Sequence, residues 1–243
     1  MWGICMILLL SPSKTFVKNE EFHEECPYFL NQSIGLIRKL KLFSSEELQN
    51  KMKISSDLAQ DVKTYYQNFG MKKYCAIYSY NGYLYKALDV NTLTKEDLDY
   101  MRHHLYIISG LYGLVRPFDG ISFYRLEMQD KIVGNLYHYW GKKINNYLKL
   151  QHQDEILINL ASKEYIKVLN KAQSMITISF YIKSEDELKS SSMHVKKARG
   201  MMARELIKRK IDNPELIKSI TFDGYQFHPF LSDEKEYVFI KEA

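Results

Sequence analysis

Apolar residues along this chain fall into two rhythms, short unbroken runs and stretches at helical spacing, and their alternation predicts a mixed α/β protein. Residues 6–10 form an unbroken apolar run halted by Ser11-Pro12, the pattern of a central strand covered on both faces. Leu30, Ile34, Ile37 and Leu40 recur near helical spacing, and Ser44-Ser45-Glu46-Glu47 then offers a fresh helix start. Residues 74–79 read as a strand closed by Asn81-Gly82, while Thr94-Lys95-Glu96-Asp97 opens a helix expected to run to about Ser109. Gly110, Gly113, Pro117 and Gly120 mark a long irregular stretch. Residues 155–160 and 175–182 are strands with a helix over 162–169 between them; residues 195–211 make the last strong helix and 237–240 an edge strand. With no internal repeat, low-complexity tract or Pro/Gly/Ser linker, residues 1–243 are expected to form one compact α+β domain, with residues 1–5 an extension ahead of Met6.

Composition narrows the function. The chain has 46% hydrophobic and 26% charged residues, and Lys+Arg exceed Asp+Glu by 34 to 29, so anionic partners are favoured without the excess of a DNA packager. Cys5, Cys26 and Cys75 form no C-x-x-C pair, which fits a reducing cytoplasm and indicates neither a disulfide scaffold nor a structural zinc site. His23, His103, His104, His138, His152, His194 and His228 show no H-x-x-x-H or H-E-x-x-H spacing, so no metal is expected from local sequence. The apolar start lacks a cationic leader and a cleavage site, and no segment reaches the roughly 20 apolar residues of a membrane span. No cofactor is expected.

Four stretches hold candidate chemistry. Ser11-Pro12-Ser13-Lys14-Thr15 follows a buried strand, where hydroxyls, a lysine and turn amides could converge on a phosphate; without glycines it is not a Walker A loop, and a solvated turn is the plain alternative. Residues 105–113 resemble a helix-hairpin-helix, although two residues separate Gly110 from Gly113 where one is usual, and Pro117 would break the second helix. Beyond it, Arg116 and Arg125 could take phosphates or be held by Asp119 and Glu127. Ser162, Lys163 and Glu164 stand where a strand end meets a helix start, with Ser162 a candidate cap and Lys163 and Glu164 candidates for solvent. Finally, on the helix carrying Lys196, Lys197, Arg199 and Arg204, Val195, Met202 and Leu206 form one stripe at about 100° per residue, with Lys197, Arg204 and Lys208 nearly opposite as a cationic outer face.

Five segments in order, LLLSPSKTF (8–16), SGLYGLVRPFDGISFYRLEM (109–128), LYHYWG (136–141), INLASKEY (158–165) and KKARGMMAR (196–204), resemble the YaaA family over nearly the whole chain. The resemblance implies a cytosolic bacterial protein that limits damage during hydrogen peroxide stress and is associated with low unincorporated iron. It also implies a family-specific mixed α/β fold whose basic cleft is implicated in DNA binding. Carried onto this sequence, the cleft candidates are Lys14, Arg116, Arg125, Lys196, Lys197, Arg199 and Arg204. Two readings stand. One is a binding protein gripping duplex or distorted DNA through phosphates with little sequence preference. The other is an enzyme acting on a small phosphorylated or nucleotide-like ligand at Ser11, Ser13, Lys14, Glu127, Ser162 and Lys163, which one narrow pocket would favour over a broad groove.

Overall fold

The run of residues 6–10 is fully buried in the computed structural model, and everything else is layered around it. The structure describes residues 6–19, 25–170, 174–185 and 187–242; the expected extension at 1–5 lies outside them. In chain order they form β1 (Met6–Leu10), α1 (Leu30–Leu40), α2 (Ser45–Met52), α3 (Ser56–Gln67), β2 (Tyr74–Cys75), α4 (Ala76–Ser79), α5 (Tyr83–Leu88), α6 (Lys95–His104), β3 (Leu105–Ser109), β4 (Gly113–Val115), β5 (Gly120–Ile121), α7 (Leu136–Gln151), β6 (Ile156–Asn159), α8 (Lys163–Ile166), β7 (Met175–Ser184), β8 (Glu187–Lys189), α9 (Ser192–Arg209), β9 (Gln226–Phe227) and β10 (Glu236–Glu242).

The main sheet runs β4-β3-β1-β6-β7-β10-β9, with β8 against β7. Strands β3, β1, β6, β7 and β10 are mutually parallel and β4, β8 and β9 antiparallel, so the expected mixed α/β domain is what the chain adopts. From β1 the chain goes to β3 on one side, and from β6 to β7 on the other. Their carboxyl ends therefore flank a topological switch point, where α/β sheets open a crevice.

Local chemistry explains most boundaries. Ser44 and Glu47 exchange both bonds of a capping box at α2, and Thr94 and Asp97 do so at α6. Helix α6 stops at His104 rather than near Ser109, because Leu105–Ser109 is a fully buried β-branched and aromatic run that pairs in parallel with β1. That pairing also replaces the helix-hairpin-helix expectation: residues 105–115 form a β-hairpin, Ser109 opposite Gly113. Gly113 turns with φ +73°, and a Cβ there would meet the Trp140 ring at 2.7 Å. The strand expected over 74–79 keeps only β2, the remainder winding into α4.

Helix α9 is buried along more of its surface than one stripe. Ala198, Gly200, Met202, Ala203, Leu206 and Ile207 are all covered, because α5 packs along it and β7 also touches it. A Cβ on Gly200 would stand 2.0 Å from the Leu84 carbonyl oxygen, so glycine permits the close approach of α9 to α5. No helix among the described residues is long and apolar enough to cross a membrane.

Candidate functional site at the carboxyl ends of β1 and β6

Ser11 and Ser162 each lie just beyond one of the two strands that flank the switch point. The Ser162 amide donates to Ser11 Oγ at 2.8 Å, tying the two strand ends together and leaving the Ser11 hydroxyl proton to be offered elsewhere. Ser162 holds the N-cap position of α8, yet its side chain makes no capping bond, so its hydroxyl also remains available, in contrast to the expected cap. Tyr85 on α5 donates to the Ser11 carbonyl at 2.8 Å and closes the wall. Ser13 is spent on the turn itself: its hydroxyl donates to Asn81 O at 2.7 Å and accepts from the Thr15 amide at 3.2 Å. A Cβ on Gly82 would lie 2.8 Å from Ser13 Oγ, so the Asn81-Gly82 turn fits against this loop only without one.

These groups enclose a cavity of about 290 Å³, with Lys14, Lys196 and Arg199 on its lining beside the serines. Arg199 is the unusual member. Its Nε is sealed from solvent without a hydrogen-bond partner, and burial pushes its guanidinium down to about 10, still cationic at neutral pH. A sealed, unpartnered N–H on a part-buried cation is costly, and perturbed groups of this kind cluster at functional sites.

Acid groups adjoin the basic wall. Lys14 Nζ pairs with Glu127 at 2.7 Å, and Arg125 reaches the other Glu127 oxygen at 3.6 Å. Asp130 accepts from the Glu127 amide at 2.7 Å, and Glu164 accepts from the Gln129 amide at 3.3 Å. Burial raises both the Asp130 and Glu164 carboxyls above the ordinary range, with Glu127 adding to each. Glu164 is therefore half-buried in this cluster rather than in water, whereas Lys163 is exposed as expected and outside the cavity lining.

The remaining cleft candidates are dispersed. Val115 pairs with Ile107, so Arg116 follows toward the amino end of β3, the far end of the sheet from Ser11. It binds Asp119 at 2.9 Å and Glu25 at 3.5 Å and donates to the Cys26 carbonyl. Lys197 faces Asp223 at 3.8 Å. Arg204 is not on an outer face: its Nη1 donates to the Leu88 and Asp89 carbonyls at 2.8 and 2.9 Å, closing the carboxyl end of α5. A larger cavity of about 780 Å³ lies beside Arg102, His103 and Lys210, but Arg102 is paired with Glu25 and Lys210 with Asp97. No group of three or more His, Cys, Asp or Glu gathers at metal-holding distance among the described residues.

The cavity lining brings together Ser11, Ser13, Lys14, Ser162, Lys196 and Arg199, all candidates from the sequence, with Tyr83 and Tyr85, which were not, and Asp130, also not a candidate, lies outside the lining. Tyr83 and Tyr85 directly follow the Asn81-Gly82 turn that packs on Ser13, a signal readable only once that contact is known.

Fold and site together define a mixed α/β protein with a cation-lined pocket at the switch point of a largely parallel sheet. Residues 6–231 match the family model described as peroxide stress protein YaaA, and the chain belongs to that family. A UPF0246 protein of Francisella tularensis subsp. tularensis (strain WY96-3418) is 40% identical, the alignment covering 94% of this chain and 97% of the relative. A UPF0246 protein of Clostridioides difficile (strain 630) is 36% identical over 98% of this chain and all of its own length.

Proposed function

We propose that the pocket between β1 and β6 is the working site through which this peroxide stress family member acts, and that it binds a small phosphorylated or nucleotide-like ligand. The observation that carries the reading is Arg199, part-buried with its Nε sealed from solvent and unpartnered, on the lining of a small cavity that also holds the spare hydroxyls of Ser11 and Ser162. A guanidinium fork matches two phosphate oxygens, and hydroxyl donors complete the shell. Lys196, exposed at the rim, adds charge as a ligand enters. The Tyr83 and Tyr85 rings offer apolar surface for the remainder of a nucleoside. Glu164 on the cavity lining, its carboxyl raised by burial, is suited to hold or pass a proton beside the bound anion, with the similarly raised Asp130 behind it in the Glu127 cluster, which is the chemistry an enzyme acting on such a ligand needs.

Calorimetric titration with inorganic phosphate and with nucleoside mono-, di- and triphosphates tests this. Saturable binding to one site, weakened at least about tenfold by Arg199→Met and unchanged by Arg116→Ala, is expected; a charge-assisted bidentate bond is worth about 1.5–3 kcal/mol. Absence of binding by every phosphorylated probe would refute the reading.

A DNA-binding reading keeps one supporting observation. Lys196 and Lys197 are exposed in the first turns of α9, beside the pocket, where a backbone phosphate could approach from outside. Anisotropy of labelled duplex and bulged DNA across a salt series separates the two: a log–log slope of about −0.9 per neutralised phosphate would mark backbone contacts.

A further inference from the structure

At the opposite end of the sheet from the pocket, four side chains form one hydrogen-bonded line. Glu155 Oε2 lies 2.6 Å from His152 Nδ1, His152 Nε2 lies 3.0 Å from the Tyr106 hydroxyl, and Tyr106 and Tyr147 hydroxyls are 3.0 Å apart. With the imidazole neutral, the carboxylate sets the tautomer: Nδ1–H donates to Glu155, Nε2 accepts the single Tyr106 proton, and Tyr147 donates to the Tyr106 oxygen. The Tyr147 ring in turn packs 4.5 Å from that of Tyr28, which is 67% exposed. Tyr28 and Tyr147 thus lead from solvent to Tyr106, a buried phenol whose proton faces a base.

We propose that Tyr106 is the landing site for a one-electron oxidising equivalent that enters at Tyr28 and passes through Tyr147. Losing an electron makes a phenol O–H strongly acidic, so oxidation is favoured where an acceptor stands within hydrogen-bond reach. Tyr106 and Tyr147 both have a hydroxyl bond to a neighbour, but only Tyr106 meets an imidazole backed by a carboxylate. In the step, an oxidant of the class formed from peroxide and reduced metal, a hydroxyl radical, takes one electron from Tyr28 and becomes hydroxide. Oxidised Tyr28 gives its phenol proton to that hydroxide to make water and is restored by an electron from Tyr147 and a proton from solvent, while Tyr147, its proton kept in the bond to the Tyr106 oxygen, is restored by an electron from Tyr106. The Tyr106 O–H bond breaks and an N–H bond forms at His152 Nε2, leaving a neutral tyrosyl radical and an imidazolium held by Glu155. Burial keeps the Tyr106 phenol far above its ordinary range, so its proton leaves only with the electron.

The test is electron paramagnetic resonance after pulse-radiolytic oxidation of the full chain by azide radicals. The wild-type protein is expected to give one persistent neutral tyrosyl radical. Tyr106→Phe should cut its yield about tenfold, and His152→Gln should shorten its lifetime about tenfold, a barrier change of about 1.4 kcal/mol. Tyr28→Phe, at an exposed position that does not threaten the fold, should slow its appearance about tenfold, whereas Tyr65→Phe should change nothing. An unchanged signal in Tyr106→Phe, an unchanged lifetime in His152→Gln, or equal rates in Tyr28→Phe and wild type would each overturn the proposal. Circular dichroism of each variant confirms that a lost signal is not a lost fold.

Discussion

At the scale of single residues, the site is legible as unspent bonding capacity. Arg199 is the clearest case, because a sealed Nε without a hydrogen-bond partner on a part-buried cation lowers stability. Arg199→Met should therefore raise the melting temperature while removing phosphate affinity. Relief of about 1–3 kcal/mol is expected, at about 2–4 °C per kcal/mol in a chain of this size; a calorimetric scan without ligand checks it. Asp130 and Glu164 make a second prediction. Their folded carboxyls are raised by burial and by Glu127, so each binds its proton more tightly in the folded chain than in the unfolded one. Their contribution to stability is present below the ordinary carboxylate range near pH 4 and lost as pH rises through the raised folded values. Their protonation also removes negative charge beside the pocket, so phosphate affinity should strengthen as pH falls from neutral through the raised folded values. Titrations at three pH values with a ligand of constant ionisation would show it, and affinity that falls on acidification would contradict this picture.

Elements explain why basic residues close in sequence came to differ in role. On α9, Arg199 faces the cavity while Arg204, five residues on, closes the end of α5. Arg204→Ala should cost about 1–2 kcal/mol of stability, with phosphate affinity changed only as far as α5 loosens. Gly200→Ala forces a methyl against the Leu84 carbonyl and should cost about 1–3 kcal/mol or more, separating α5 from α9; urea melts of both variants measure this. Helical spacing had put Val195, Met202 and Leu206 inside and Arg204 outside. The first part holds for Met202 and Leu206, and Lys197 and Lys208 are exposed as expected, while Arg204 is drawn inward because α5 packs along the middle of the helix. Runs of one rhythm bounded by caps, such as β1, α2 and β6, were readable from their own residues. Helix α6 and strand β3 were not separable, since an apolar stretch continuing a helix takes strand form only when a strand such as β1 is there to pair with it.

For the whole molecule, the parallel sheet sorts chemistry between its two ends. The carboxyl end gathers Ser11, Ser162 and Arg199, and the amino end gathers Arg116, Tyr106 and His152. The sequence carried both groups but could not tell them apart, because Arg116 lies seven residues from Ser109 at the opposite end of β3, across a hairpin that reverses the chain. Arg116 sits in an ion-paired cluster, so Arg116→Ala should cost about 1–3 kcal/mol in a urea melt by leaving the buried Asp119 short of a partner, with phosphate binding untouched. The central claim concerns where a phosphate goes. Its most direct test is a crystal structure of the chain grown with a nucleoside phosphate that binds in solution. The account predicts a phosphate group within hydrogen-bond distance of the Arg199 guanidinium and of the Ser11 or Ser162 hydroxyl; a phosphate held instead beside Arg102 and Lys210, with Arg199 still unpartnered, would contradict it.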